Sequence, residues 1–128
     1  MELNEFNFEV EIRCPMFSTE DKETLLHCIS NIFPKTKWNI KDDMIVGKSK
    51  YLTRFKKILE DMKIRDTARQ HMKERVVDDQ CSFKLSKQAT CNAKINFSQE
   101  KKPLGEVEVK IICDEINALI ENLTETEE

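Results

Sequence analysis

Alternation of apolar and polar residues in four short stretches constrains this chain more than any other feature. Phe6, Phe8, Val10 and Ile12 alternate with Asn7, Glu9, Glu11 and Arg13. The pattern returns in Cys81, Phe83 and Leu85, in Cys91, Ala93, Ile95 and Phe97, and in Val107, Val109, Ile111 and Cys113. A period of two sends one set of side chains to a buried face and the other to solvent, which predicts strands covered on one side only. Cys14-Pro15 ends the first strand, and Pro103-Leu104-Gly105 makes a turn before the last.

Between these strands the period lengthens to that of a helix. Ser18 followed by Asp21 has capping-box spacing, so a helix is expected there, with Leu25, Leu26, Ile29, Ile32 and Phe33 inward and Pro34 as its stop. Trp38–Ile40 and Met44–Val46, joined by Lys41-Asp42-Asp43, read as a hairpin with Gly47 as its exit. Leu52, Phe55, Leu59 and Met62, then Ile64, Ala68, Met72 and Val76, predict two helices or one kinked helix, because the phase slips between Met62 and Ile64. A last short helix carries Ile116, Leu119, Ile120 and Leu123. About six strands and four helices, not in strict alternation, make a two-layer α+β domain with helices packed on a mainly antiparallel sheet. The domain is expected over residues 1–123, followed by an acidic tail at 124–128.

The 128 residues suffice for one core. No apolar run reaches the ~20 residues of a membrane span, and the start, Met1-Glu2-Leu3-Asn4-Glu5, is acidic where a secretory signal is basic, so a cytoplasmic location is expected. Cys14, Cys28, Cys81, Cys91 and Cys113 are odd in number and contain no Cys-x-x-Cys pair. Four of them fall on inward strand phases, which predicts reduced thiols acting as small core residues.

Only Gly47 and Gly105 are glycine, so a P-loop and a dinucleotide fingerprint are both excluded. His27 and His71 lack a second ligand at metal spacing, and Asp42-Asp43 and Asp78-Asp79 sit in turns, where Asp bonds the local backbone. No catalytic residue, metal or cofactor is implied, and a non-enzymatic protein is expected.

Charge is more informative. The net charge is −3, yet residues 48–110 hold 16 Lys and Arg against 9 Asp and Glu, while the ends are acidic. Such segregation allows a basic face on an acidic protein. Arg65, Arg69 and Lys73, spaced by four, lie along one helix face, with Arg54 and Lys57 on the preceding helix. Lys84 and Lys94 point away from the core, Asn92 and Asn96 share the outer face with Lys94, and Lys87 with Gln88 occupies the loop between two strands. These cations suit phosphates; equally, Asp61 with Arg65 and Asp66 with Arg69 make a solvated, self-paired helix face. Nearly every Phe is on an inward phase, leaving Tyr51 and Phe17, so no stacking platform for single strands is expected.

Several segments together resemble a known family: Pro15 to Asp21, Ile32-Phe33-Pro34, Ile64-Arg65-Asp66-Thr67-Ala68-Arg69, Leu85-Ser86-Lys87-Gln88-Ala89 and Pro103-Leu104-Gly105. They resemble an archaeal family of uncharacterised proteins labelled RNA-binding, with a fold like the 5S-rRNA-binding ribosomal protein of the large subunit. The resemblance spans almost the whole chain in order, departing at Ser86 and Thr90, where the family more often has Asn and a small apolar residue. It implies contact with structured RNA through a basic helix face and loop. The residues assigned to that contact are Arg65, Arg69, Lys73, Lys84, Lys87, Gln88 and Lys94. The rival expectation is a protein-interaction or assembly module, such as a homodimer, in which the same charges are structural.

Overall fold

The computed structural model describes residues 2–98 and 105–125. After a 3-10 turn at Leu3–Glu5, the elements run β1 (Phe8–Pro15), α1 (Lys22–Ser30), β2 (Lys37–Lys41), β3 (Met44–Ser49), α2 (Thr53–Asp61), α3 (Arg65–Lys73), β4 (Val76–Val77), β5 (Gln80–Ser86), α4 (Lys87–Cys91), β6 (Glu106–Cys113) and α5 (Ile116–Leu123). Six strands form one sheet in the order β2-β3-β1-β6-β5-β4, every neighbouring pair antiparallel. The α+β architecture expected from the sequence is the one observed.

The alternation decides the sides of this sheet. Phe8, Val10, Ile12 and Cys14 of β1 are buried, as are Cys81, Phe83 and Leu85 of β5 and Val107, Val109, Ile111 and Cys113 of β6. Against them pack Leu25 and Ile29 of α1, Phe55 and Leu59 of α2, Ala68 and Met72 of α3, and Leu119 and Ile120 of α5 in one continuous core. Phe33, Phe55 and Phe83 stack in series with ring centroids 5.8 and 5.7 Å apart. Gly47 stands between Ile12 and Trp38 across the strands, and a Cβ there would lie 2.5 Å from the Trp38 ring. Only glycine lets that indole lie flat on the sheet.

Local chemistry sets the ends of the helices. The cap of α1 is Asp21 and not Ser18: its carboxylate accepts from the Thr24 backbone N–H at 3.0 Å and from the Thr24 hydroxyl at 2.8 Å. Those two bonds hold the Asp21 carboxyl below its ordinary pKa. The phase slip after Met62 is a true break, with Lys63 at φ 59° between α2 and α3. Asp42-Asp43 and Asp78-Asp79 form two-residue hairpin turns, the first Asp of each at positive φ, as their turn-like composition predicts.

Two expectations are corrected. Residues 91–97 do not form a strand. Ser86 instead caps α4, its hydroxyl accepting from Ala89 N–H, and the alternation that follows touches the sheet only at a bridge between Leu85 and Phe97. A side-chain cap satisfies the backbone locally, and that outcompetes continued pairing. Lys87 and Gln88 are therefore helical and not in a loop. The second correction follows from the first: α4 folds against α1, and Cys91 is joined to Cys28 in a disulfide. Cys14, Cys81 and Cys113 are free and buried, as expected of core thiols.

The body also runs past Leu123. Thr124 is fully buried, and its hydroxyl donates to the Ile120 carbonyl at 2.7 Å. The last three residues of the expected acidic tail lie outside the described residues, as do Pro103 and Leu104 of the expected turn. No helix among the described residues is long and apolar enough to cross a membrane.

Leu59 and Ile95 are 0% and 2% exposed, so truncating either leaves a cavity in the core. Leu59→Ala or Ile95→Ala should each lower the unfolding free energy by about 2–5 kcal/mol, read from the midpoint of a urea titration.

Candidate nucleic-acid interface

The seven residues assigned to RNA from the sequence fall in different surroundings. Arg65, Arg69 and Lys73 do share one face of α3, but that face is turned to the end of α5. Arg65 Nη1 donates to the Glu125 carbonyl at 3.1 Å. Arg69 grips Thr124 twice, Nε on the hydroxyl at 3.1 Å and Nη2 on the carbonyl at 2.6 Å, and sits 3.6 Å from Asp66 and 3.7 Å from Glu121. Lys73 pairs with Glu121, and that hydrogen bond, with the charges of Lys73 and Arg69 behind it, pulls the Glu121 carboxyl below the usual range. Lys56 of α2 completes the group, reaching Asn122 Oδ1 at 2.9 Å and Glu125 Oε1 at 3.1 Å. Helices end with unsatisfied carbonyls and partial negative charge, so cations gathered at the end of α5 are in a structurally favourable place. The expected Asp66–Arg69 pair is present, while Asp61 pairs with Lys57 at 3.3 Å in place of Arg65.

Lys87 is committed elsewhere. Only 9% exposed, its Nζ donates to the Pro15 carbonyl at 2.6 Å and to Glu20 Oε1 at 3.0 Å, and lies 5.1 Å above the centre of the Phe17 ring. The pair fastens α4 to the segment that leads into α1. Gln88 and Lys94 are exposed on and after α4. Lys84 alone of the seven lies on the open face of the sheet.

That face carries the residues the sequence reading passed over. Cross-strand register places Lys37, Lys48, Glu11, Lys110 and Ser82 in one row and Asn39, Val46, Arg13, Glu108 and Lys84 in the next. Each carboxylate is thus flanked by two cations, Glu11 by Lys48 and Lys110, Glu108 by Arg13 and Lys84. Such neighbours attract across strands. Among the described residues, however, no hydrogen bond or ion pair holds the side chains of Arg13, Lys48, Lys84 and Lys110. Between Arg13, Lys84 and Lys110 runs a groove of about 530 Å³ over β1, β6 and β5, rimmed by Arg75 and Ser98. The signal for it was already in the alternation: the same period of two that marks the core marks Glu11, Arg13, Lys84, Glu108 and Lys110 as its opposite face.

Beneath the Arg75 rim, α3 presents His71. It is 6% exposed, its ring lies 4.6 Å from that of Phe97, and its Nε2 has no hydrogen-bond partner among the described residues. Burial first, and the Arg75 charge second, push its pKa below the ordinary histidine value. Burial of Cys14 and Cys81 raises those thiols to about 11 and about 12, so neither is a thiolate nucleophile. Among the described residues no group of three His, Cys, Asp or Glu is placed to hold a metal ion.

An antiparallel sheet with helices on one face and a cationic groove on the other defines the class of protein this is: a compact α+β domain whose open sheet face is its candidate contact surface. No family model matches the chain. Individual proteins do. It is 32% identical over 116 residues to a UPF0201 protein of Methanothermobacter thermautotrophicus, covering 88% of both chains. It is also 32% identical over 127 residues to a UPF0201 protein of Sulfurisphaera tokodaii, covering 91% of this chain and 83% of the other. The crystal structure of the UPF0201 protein from Methanococcus jannaschii superposes with a TM-score of 0.85 at 31% identity, over 94% of this chain and 95% of that one. The chain belongs to the archaeal UPF0201 family. A DUF54 protein of Methanothermobacter thermautotrophicus shares the fold alone, with a TM-score of 0.62 at 13% identity.

Two measurements check these surroundings. Arg69→Ala strips the Thr124 carbonyl and hydroxyl of their donor and should cost about 1–3 kcal/mol in a urea titration, with Arg69→Lys recovering only part. For His71 the folded-state pKa is lowered, so the unfolded chain takes up the proton first as pH falls. Its contribution is intact above the ordinary histidine value of 6.5 and lost progressively below it. Between about pH 7.5 and about pH 5.5 the wild-type midpoint should fall more than that of His71→Leu.

Proposed function

We propose that this protein binds structured RNA through the phosphate backbone, acting as a binding protein and not as an enzyme, and that the contact surface is the open face of the sheet. The observation that carries this reading is the division of the cations. Those of α3 and α4 are spent on internal partners, whereas the side chains of Arg13, Lys84 and Lys110 stand unpaired among the described residues around one groove. Releasing counterions from a phosphate backbone is the principal source of affinity for such a surface.

Shape favours a folded RNA over a single strand. Phe17 and Val77 are the large apolar side chains exposed among the described residues, and neither is on the groove, so stacking of splayed bases has no platform there. Glu11 and Glu108 repel phosphates, and they confine an RNA backbone to the lines between them.

A second reading, an assembly module, draws on the same clamp at α5, where Arg65, Arg69 and Lys73 are structural, and on β2, which ends the sheet with one edge unpaired among the described strands. Lys37 and Lys41 on that edge discourage a second copy from pairing there, because in a two-fold arrangement centred on Asn39 each Lys37 faces a Lys41. The RNA reading therefore stands first.

Fluorescence anisotropy with a hairpin RNA and a single-stranded control, across a salt series, separates them. Affinity for the hairpin should fall with a log–log slope of about −0.7 to −0.9 per phosphate neutralised. Lys84→Ala, Lys110→Ala and Arg13→Ala should each weaken binding about equally for different sequences and flatten the slope by about one unit. Lys87→Ala and Arg69→Ala, once shown to be folded, should leave the slope unchanged. Absence of binding at low salt, or binding indifferent to the three open-face changes, returns the assembly reading to first place.

A further inference from the structure

We propose that the Cys28–Cys91 bridge is a redox-operated latch on the segment from α4 to Ser98, which a dithiol opens without unfolding the sheet. The proposal is independent of whether the open face binds RNA. Its basis is the position of the bridge. Cys28 is buried on α1, Cys91 is the exposed last residue of α4, and the bond closes 63 residues of chain.

A helix of five residues does not hold itself together in water, so α4 stays where its neighbours pin it. At its first turn the pins are the Ser86 cap and the buried Lys87–Glu20 pair. At its last residue the pin is the bridge. From Cys91 the chain returns along the outer edge of β5, where Ser86 N–H donates to the Asn96 carbonyl at 3.0 Å and Ser98 N–H to the Lys84 carbonyl at 2.9 Å. Two apolar side chains anchor that return, Ile95 buried beside Met62 and Phe97 half-buried against Phe83 and His71, so its far end stays seated on the core. Opening the bridge removes one end of this span and leaves the other tied by Lys87, which predicts local loosening and not dissociation.

The remaining cysteines do not compete for the bridge. Cys14, Cys81 and Cys113 are buried and free, and burial keeps all three protonated. Exchange must therefore begin with an external thiolate at Cys91. Its attack on Cys91 Sγ forms a mixed disulfide, breaks the S–S bond and expels Cys28 as a thiolate, which takes up a proton. The second thiol of the reagent then attacks the reagent's own bridging sulfur. Cys91 leaves as a thiolate and is protonated, and the reagent departs as a cyclic disulfide. Two electrons and two protons pass from the dithiol to the bridge.

The test starts from a thiol count and a peptide map of protein purified in air and denatured without reductant. Three free thiols and a linked pair of peptides carrying Cys28 and Cys91 are expected; five free thiols would overturn the proposal. Hydrogen exchange of native protein with and without dithiothreitol then reads the latch. Amides of residues 87–98 should exchange faster by on the order of tenfold or more after reduction, with β1 and β6 unchanged, and reoxidation should restore protection. Cys91→Ser, a change at an exposed position, should exchange like the reduced protein and ignore the reagent. Equal exchange in both redox states overturns the latch, and so does equal acceleration in β1 and β6, or a Cys91→Ser variant that still responds to the reagent.

Discussion

β1 lies between β3 and β6, so its backbone is hydrogen-bonded on both sides and its register with both neighbours must be right at once. Phe8, Val10, Ile12 and Cys14 face the helices, and Glu9, Glu11 and Arg13 face the other way. Because side chains alternate, a slip of one residue would carry Glu11 into the core and Ile12 out of it, a cost no surface contact offsets. This one register fixes the rest. It aligns Ile12 with Gly47 and Val109 beneath the helices, and by the same stroke sets Arg13 beside Glu108 and Glu11 beside Lys110 on the open face.

The cations of the middle of the chain then divide by what they have to satisfy. Where α5 ends the chain has no further helical turn to take its carbonyls, and Arg69 and Arg65 supply donors to those of Thr124, the cap, and Glu125, the residue after it. Lys87 answers Glu20 in a nearly closed space, where leaving either partner alone would be far more costly than the pair is beneficial. On the open sheet face no such demand exists. A charge there answers only to its cross-strand neighbours and to whatever approaches from solvent, which is why a local excess of base in the sequence becomes an available surface in one place and internal scaffolding in another.

The layout of the fold was legible because it rests on period. Phe8 to Ile12 and Val107 to Cys113 read as strands and are strands, Phe6 lying just ahead of the first; the slip at Met62 to Ile64 reads as a break and is one; Phe8, Ile12, Leu59, Ile95 and Val109 are all core. Period failed where a cap overrode it, at Ser86, since alternation from Cys91 to Phe97 is indistinguishable on paper from a strand. The disulfide was hidden for the same reason: with Cys91 placed on a sheet, nothing brings it to α1. The candidate site was legible only in kind. Spacing by four correctly put Arg65, Arg69 and Lys73 on one face, but whether that face meets water or the end of α5 depends on a helix fifty residues further along, and no local pattern reports it.

The two middle strands of the sheet are the first and the last of the described chain. Their pairing, Phe8 with Cys113 through Arg13 with Glu108, joins segments separated by every other strand and by α1 to α4. During synthesis β1 emerges early and waits with one apolar face and one hydrogen-bonding edge uncovered until residues 106–113 have left the ribosome. The β2–β3 hairpin is the first of its two neighbours in the sheet to be synthesised. Long-range closure of this kind is slow, and an edge left open in the interval invites other chains. The acidic residues Glu9 and Glu11, spaced along that waiting strand, make it a poor template for a second copy of itself.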